Sequence, residues 1–284
     1  MASASHGPMV ARRQLSQALR AARDEAGQTQ EQAAEALDWS ISKMIRIENG
    51  KTRPTVTDVR ALLDLYGVTE SRQIAEFVDL ARATRQRSWW TEYREHLPPG
   101  FADYVALEAD ASVLHFFHPM FIPGLFQTTA YAREALDIPW IEDLTREGQA
   151  VRLKLRQERQ RHLLQDPGRP RVEALLDESA LRRVVGGPDA MREQLHHLIR
   201  LGADARVTLR VLPFTAGQIH VVSPFIIMQF PNLPDVVYSE SGIEVMAELN
   251  RGDISPYWMA YRWLAARALD ARDSLTFIAK VAEE

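Results

Sequence analysis

Residues Thr29 to Pro54 read "TQEQAAEALDWSISKMIRIENGKTRP". Two short apolar periodicities lie here on either side of a tight break. Thr29 and Gln32 have the Thr-x-x-Gln spacing of a capping box, in which two side chains satisfy backbone N–H groups at a helix start. Ala33, Ala34 and Leu37 supply the inner face of that helix. Asp38–Trp39 then form a turn, Ser40 caps a second helix, and Gly50 ends it. In the second helix Met44, Ile45 and Ile47 read as anchors, whereas Ile41, Ser42, Lys43 and Arg46 fall at its start or on its outer face. Lys51 and Arg53 lie just past the stop.

Working outward, the pattern predicts three more helices. One runs from Arg12 to Glu25 with Leu15, Ala18, Leu19 and Ala22 on one side. Thr57 opens another, with Val59, Leu62, Leu63 and Tyr66 inside, and Ser71 opens a third, with Ile74, Phe77, Val78 and Ala81 inside. Residues 1–85 therefore form an all-α, five-helix unit. Pro98–Pro99–Gly100 is a breaker cluster, which places a junction over 86–100. Trp89 and Trp90 argue against a floppy tether there, because large apolar rings seldom stay in water.

Residues 101–284 mix element types. Expected are a helix from Ala102 to Phe117, an extended "PMFIPGLF", a helix capped by Thr128 or Thr129, and a long cationic helix from Glu142 to Gln165. A strand follows over Arg171–Asp177 and a helix over Asp189–Leu201. "RVTLRVLP", "HVVSPFIIMQF", "DVVYSE" and "GIEVMAEL" read as strands, with a hairpin at Pro234–Asp235. Ser255–Pro256 opens a last helix containing Met259, Trp263, Ala266 and Leu269. The second unit is thus α+β, its strands grouped toward the end.

A length of 284 residues suits two compact units, and 46% apolar with 25% charged residues excludes wholesale disorder. The net charge of −4 announces no polyanion partner for the chain as a whole. The charge is uneven, however. Arg12, Arg13, Arg20 and Arg23 all precede the first acid, Asp24. Lys43, Arg46, Lys51, Arg53 and Arg60 then face only Glu48 and Asp58. Such a local footprint is what matters for nucleic acid. The absence of cysteine excludes disulfides, thiolate metal sites and cysteine nucleophiles, and fits a reducing compartment. No apolar run approaches the ~20 residues that span a bilayer, and "MASASHGPMVARRQ" has no apolar signal core. The expectation is a cytoplasmic protein without a membrane contact.

Two helices joined by a tight turn inside a five-helix unit suit a helix-turn-helix, whose second helix offers its first residues to base edges in the major groove. Lys43 and Arg46 can bridge guanine acceptors, Ile41 can meet a thymine methyl, and Ser42 is small and polar beside them. At the front of the first helix Thr29 and Gln30 present donors where the helix dipole favours a phosphate. Ser40, Lys51 and Arg53 are placed to hold phosphates without reading sequence.

These residues carry a resemblance. "QTQEQAAEALDWSISKMIRIENGKTRP" resembles the repressor-type helix-turn-helix of phage-repressor relatives, the xenobiotic-response-element class. The match runs through Thr29, Gln30, Ala33, Leu37, Ser40, Ser42, Ile47, Glu48, Asn49, Gly50, Lys51 and Pro54. It implies that Gln30 grips a phosphate, that Ile41, Ser42 and Arg46 face bases, and that Asn49 lends a backbone amide to a phosphate. The family has glycine in the turn where this chain has Asp38, a residue that tolerates a left-handed backbone. A second resemblance spans roughly Trp90 to the C-terminus. "FIPGLFQTTAYAREAL", "RQERQRHLL", "LLDESALRRVVGG", "QLHHLI", "VLPF" and "DVVYSE" are similar to the C-terminal domain of actinobacterial regulators described as antitoxin-like and WhiJ-like. It implies a regulator whose C-terminal domain engages a small companion protein encoded alongside it.

Other constellations read as structural. His115 and His118 are three apart and His196–His197 adjacent, but no His-Glu-x-x-His spacing points to a metal. Phe116, Phe117, Met120, Phe121 and Phe126 read as core, with a small-molecule pocket as the rival. Asp177–Glu178–Ser179 ends a strand as a helix cap does, and neither a Gly-x-Ser-x-Gly elbow nor a phosphate-binding glycine loop is present. Arginines in "RQERQRHLL" alternate with Leu153, Leu155 and Leu163 as on an amphipathic helix. No cofactor and no catalytic residue is expected. The reading is a sequence-specific transcriptional regulator, a homodimer on a pseudo-palindromic double-stranded operator. It is controlled through a companion protein or, in the rival reading, a small molecule.

Overall fold

The computed structural model describes residues 7–97, 100–137, 146–166, 168–220, 223–241, 246–250 and 252–284. The chain divides into two units, Met1–Thr91 and Glu92–Glu284. The first is all helical and the second α+β. The division falls within the expected junction, where Trp89–His96 form a 3-10 helix.

Helix α1 (Pro8–Glu25) opens on a proline, whose missing N–H costs nothing in a first turn. Helices α2 (Gln30–Ala36) and α3 (Ile41–Glu48) follow, then α4 (Val56–Leu65) and α5 (Ser71–Ala83). Leu15, Leu19, Ala33, Met44, Ile47 and Leu62 meet in one core, with Leu37 and Trp39 packed against it. The cap of α4 is Thr55 rather than Thr57: its hydroxyl accepts from Asp58 N, and Asp58 returns a bond to Thr55 N. The capping box, with its acid three residues on, outcompetes the simple hydroxyl.

In the second unit, α6 (Phe101–Glu108) stops before β1 (Val113–His118), so the expected helix over Ala102–Phe117 splits in two. Leu114, Phe116 and Phe117 are buried on both sides of a central strand, and such an apolar run carries no clear period. Thr128 caps α7 (Thr129–Leu136). Helix α8 (Arg146–Gln160) continues as a π turn over Arg161–Gln165; the expected start at Glu142 lies outside the described residues. Then come β2 (Arg171–Asp177), α9 (Glu178–Arg182), α10 (Gly187–Gly202), β3 (Val207–Leu212), β4 (Phe225–Phe230), β5 (Leu233–Ser241), β6 (Met246–Asn250), α11 (Ser255–Ala265) and α12 (Ala271–Glu283).

The sheet order is β3-β2-β1-β4-β5-β6. Strands β1, β2 and β3 are parallel, linked by helical crossovers, and β4 to β6 continue antiparallel. The strands are therefore not confined to the end of the chain: β1 is central. Phe230 pairs with Leu233, so the hairpin turns at Pro231–Asn232, and Asp235 lies inside β5. Helix α11 covers one face with Tyr261 and Leu264 against Phe117, Leu175, Phe225 and Ile227. At the β3 edge, Val211 N donates to Ser274 Oγ at 2.9 Å and Leu269 N to Val211 O at 2.8 Å. Among the described residues no helix is long and apolar enough to cross a membrane.

Candidate nucleic-acid interface

The turn between α2 and α3 depends on Asp38, which takes a φ of 54°. Trp39 N reaches back to Ala34 O at 2.8 Å, and Trp39 packs on the core. Aspartate carries the left-handed conformation that glycine would carry more cheaply. At the far end, Gly50 (φ +65°) closes α3, and a Cβ there would meet Ser16 Oγ at 3.1 Å. Lys51 N and Thr52 N both donate to Arg46 O, at 2.8 and 3.1 Å. The exit loop is thereby folded against the end of α3, and Lys51 and Arg53 are left exposed.

Helix α3 buries Met44, Ile47 and Glu48 and exposes Ile41, Ser42, Ile45 and Arg46. Ile45, expected as an anchor, is instead 38% exposed, and Ile41 is 37% exposed. The inward row runs through positions 44, 47 and 48, and position 45 lies about 100° away from 44 on the helix wheel. The outward face thus carries two rows one turn deep, Ile41–Ile45 and Ser42–Arg46.

The other sequence-selected residues are placed differently from one another. Ser40 Oγ is the α3 cap, accepting from Lys43 N at 3.2 Å. Lys43 bends aside: its Nζ donates to Asp58 Oδ1 at 2.7 Å and lies 3.4 Å from the centre of the Trp39 ring. Burial pushes the Asp58 carboxyl up, but the hydrogen bonds from Lys43 and Thr55 outweigh it and hold it below the ordinary aspartate range. Asn49 N donates to Ile45 O at 3.0 Å, so its amide is spent on the helix, and the exposed side chain is what faces solvent. Thr29 N is likewise spent on Gln32 Oε1 at 2.8 Å. The Glu31 carboxylate bonds its own backbone N–H and the Thr29 side chain, which keeps it below the usual glutamate range. A negative group thus already sits at the front of α2, where a phosphate was expected.

Gln30 is oriented from beneath. Its Nε2 donates to Glu48 Oε2 at 2.7 Å. Glu48 also takes Arg23 Nε on Oε1 at 2.7 Å and Arg23 Nη2 on Oε2 at 3.1 Å. Arg23 and Glu48 are each 7% exposed. The bond to Glu48 holds the Arg23 guanidinium above its ordinary pKa despite burial. One carboxylate therefore fixes the relative placement of α1, α2 and α3. The sequence reading counted Arg23 in the cationic footprint for nucleic acid, but it is buried; the signal was present, because Leu15, Leu19 and Arg23 share one helical stripe.

The second unit repeats that device. Leu155, Arg159 and Leu163 share a stripe, and Arg159 is buried against Glu108 with both contacts at 2.7 Å. The Tyr104 hydroxyl donates to Glu108 and accepts from Arg159 at 2.8 Å. Of the aromatic set, Phe116, Phe117 and Phe126 are core, but Met120 and Phe121 are 46% and 43% exposed. His115 and His118 lie on β1, and His115 sits between Gln229 Oε1 at 2.9 Å and Glu173 Oε2 at 3.3 Å. Asp177 accepts from Ser179 N at 2.8 Å and so caps α9.

Met120 and Phe121 follow the C-terminal end of β1, Val184 follows α9, and Phe214 follows β3; the last two are each 58% exposed. The three parallel strands end in register, His118 opposite Leu176 and Asp177 opposite Leu212. Helix α9 ties the loops together: Ser179 Oγ donates to Pro119 O at 2.5 Å, and Phe214 N donates to Glu178 Oε2 at 2.7 Å. The result is an exposed apolar rim at one end of the sheet.

Residues 14–75 match a family described as "Helix-turn-helix domain". Residues 101–280 match the family described as "Domain of unknown function (DUF5753)". No curated protein and no solved structure matches the chain.

Proposed function

This chain belongs to the DUF5753 family and, through its helix-turn-helix domain, is a DNA-binding regulator; we propose that it reads a specific operator with α3. The observation that carries this is the outward face of α3, where Ile41, Ser42, Ile45 and Arg46 stand clear of the core. Arg46 offers a fork of donors to guanine, and two isoleucines offer methyl contacts to thymine. Lys51, Arg53, Ser40 and the side chain of Asn49 flank this face as phosphate contacts. Gln30, aimed by Glu48, stands at the front of α2. One reading helix covers too little surface for tight binding, so the active species is a homodimer on two half-sites one helical turn, or a multiple, apart.

The second unit acts in this reading as the control element, in the manner of the antitoxin-like, WhiJ-like regulators it resembles. It binds a small companion protein through the apolar rim of Met120, Phe121, Val184 and Phe214. Exposed apolar surface of this kind suits a protein partner better than a small molecule, which needs an enclosed pocket. No catalytic role is assigned to either unit.

Selection of duplex DNA from a random pool with the full chain tests the first half. Enrichment of a two-fold symmetric sequence is expected, and recovery of no preferred sequence would sink it. Co-purification with the small protein encoded beside this chain tests the second. Met120→Asp combined with Phe214→Asp should abolish capture while leaving DNA binding intact. No capture by the unaltered chain would favour small-molecule control.

A further inference from the structure

Lysine on the first turn of a reading helix is a poor discriminator unless it is held. A free ammonium there meets any phosphate, adding affinity for all sequences alike. In this chain Lys43 is not free. Its Nζ is 2.7 Å from Asp58 Oδ1 on α4 and 3.4 Å from the centre of the Trp39 ring. Asp58 cannot follow it outward, because Oδ2 is tied to Thr55 N at 2.8 Å and Thr55 Oγ1 at 2.7 Å. Releasing the carboxylate would open the capping box of α4. Trp39 is equally committed, since it packs on the core and closes the turn into α3.

We propose that Asp58 is a specificity-setting residue of the DNA-binding surface, which latches Lys43 against Trp39 and withdraws that charge from the DNA. With Lys43 neutralised, Ile41, Ser42, Ile45 and Arg46 carry the discrimination, and the ratio of specific to non-specific binding rises. The latch rests on the reading of α3 as the base-reading helix. Asp58 acts through Lys43 and touches no base itself.

The test compares the full chain with Asp58→Asn, Lys43→Gln and the double variant on the selected operator and on random duplex over a salt series. Asp58→Asn should steepen the salt dependence by about one unit, as one added phosphate contact does. It should also tighten random-DNA binding more than operator binding. Lys43→Gln alone should change neither slope nor ratio, and the double variant should match it. A shallower slope for Lys43→Gln alone would show that Lys43 already contacts DNA and would overturn the latch. So would a steeper slope persisting in the double variant, which would trace the effect to the lost charge of Asp58. Lys43→Gln leaves the α4 cap intact, so its result decides even if Asp58→Asn folds poorly. Absence of any operator preference in the unaltered chain would instead overturn the reading of α3, and the latch with it.

Discussion

Arg23 at the end of α1 and Glu48 at the end of α3 form a buried two-pronged ion pair, with contacts of 2.7 and 3.1 Å. Glu48 also holds Gln30 at 2.7 Å, so one carboxylate fixes α1, α2 and α3 against one another. Breaking a buried ion pair costs about 3–5 kcal/mol; here Asp24 Oδ1 and Gln28 O, each at 2.7 Å, still hold Arg23, so the cost falls toward the lower end of that range. Glu48→Gln should therefore lower the denaturant midpoint of the N-terminal unit sharply. An unchanged midpoint would show that the pair is replaceable by neutral hydrogen bonds.

Arg46 is exposed beside Ser42 on the outward face of α3. A bidentate contact to guanine discriminates by about 1–3 kcal/mol. Arg46→Ala should thus weaken operator binding by roughly tenfold to a hundredfold more than random-DNA binding. Competition titrations with both duplexes measure this; equal loss on both would reduce Arg46 to a phosphate contact.

Lys51 sits on the exit loop, held near α3 by the hydrogen bond that its backbone N–H donates to Arg46 O. It should contribute charge and no sequence information. Lys51→Ala is expected to shallow the salt slope by about one unit and leave the preferred sequence unaltered. A changed preference would move Lys51 into the base-reading set.

Burial lowers the His118 pKa from its usual 6.5 to about 4. The folded state thus resists protonation that the unfolded chain accepts. The stability linked to this histidine is present above pH 6.5 and is lost as pH falls through that value toward 4. Burial also lowers His197, in the same direction. Thermal unfolding followed between these pH values should show a decline that His118→Gln makes shallower. The carboxylates lowered in the fold also lose their contribution as pH falls, Glu31 and Glu284 from about 4.5 and Asp58, Asp204 and Asp253 from about 3.8, so the decline between 6.5 and 4 is not carried by histidine alone. An identical decline in both proteins would rule out His118 as a contributor.

Much of the N-terminal unit was legible because its signals are local. Thr29 with Gln32, Ser40 with Lys43, and Gly50 after Glu48 each act within about one turn. The outward face of α3 followed from the same period, apart from Ile45, which is exposed, and Lys43, which bends aside to Asp58. In the second unit β2 and β3 were legible as strands, but β1 was not. A strand buried on both faces looks like a short buried helix, and only its partners β2 and β4 distinguish the two. The hairpin at Pro231–Asn232 was likewise displaced by the more conspicuous Pro234–Asp235.

What the sequence determined by itself is therefore the helix-turn-helix: five short helices, the Thr29 and Ser40 caps of α2 and α3, the left-handed Asp38 turn, and a polar, cation-bearing face on α3. Tertiary structure alone decided which cations face outward. Lys43 meets Asp58 from 15 residues away, Arg23 meets Glu48 from 25, and Arg159 meets Glu108 from 51. Charge on a helix announces itself in sequence, but its destination depends on which distant carboxylate the fold brings within 3 Å. Arg46, Lys51 and Arg53 remain at the surface, and the other three are held by the protein.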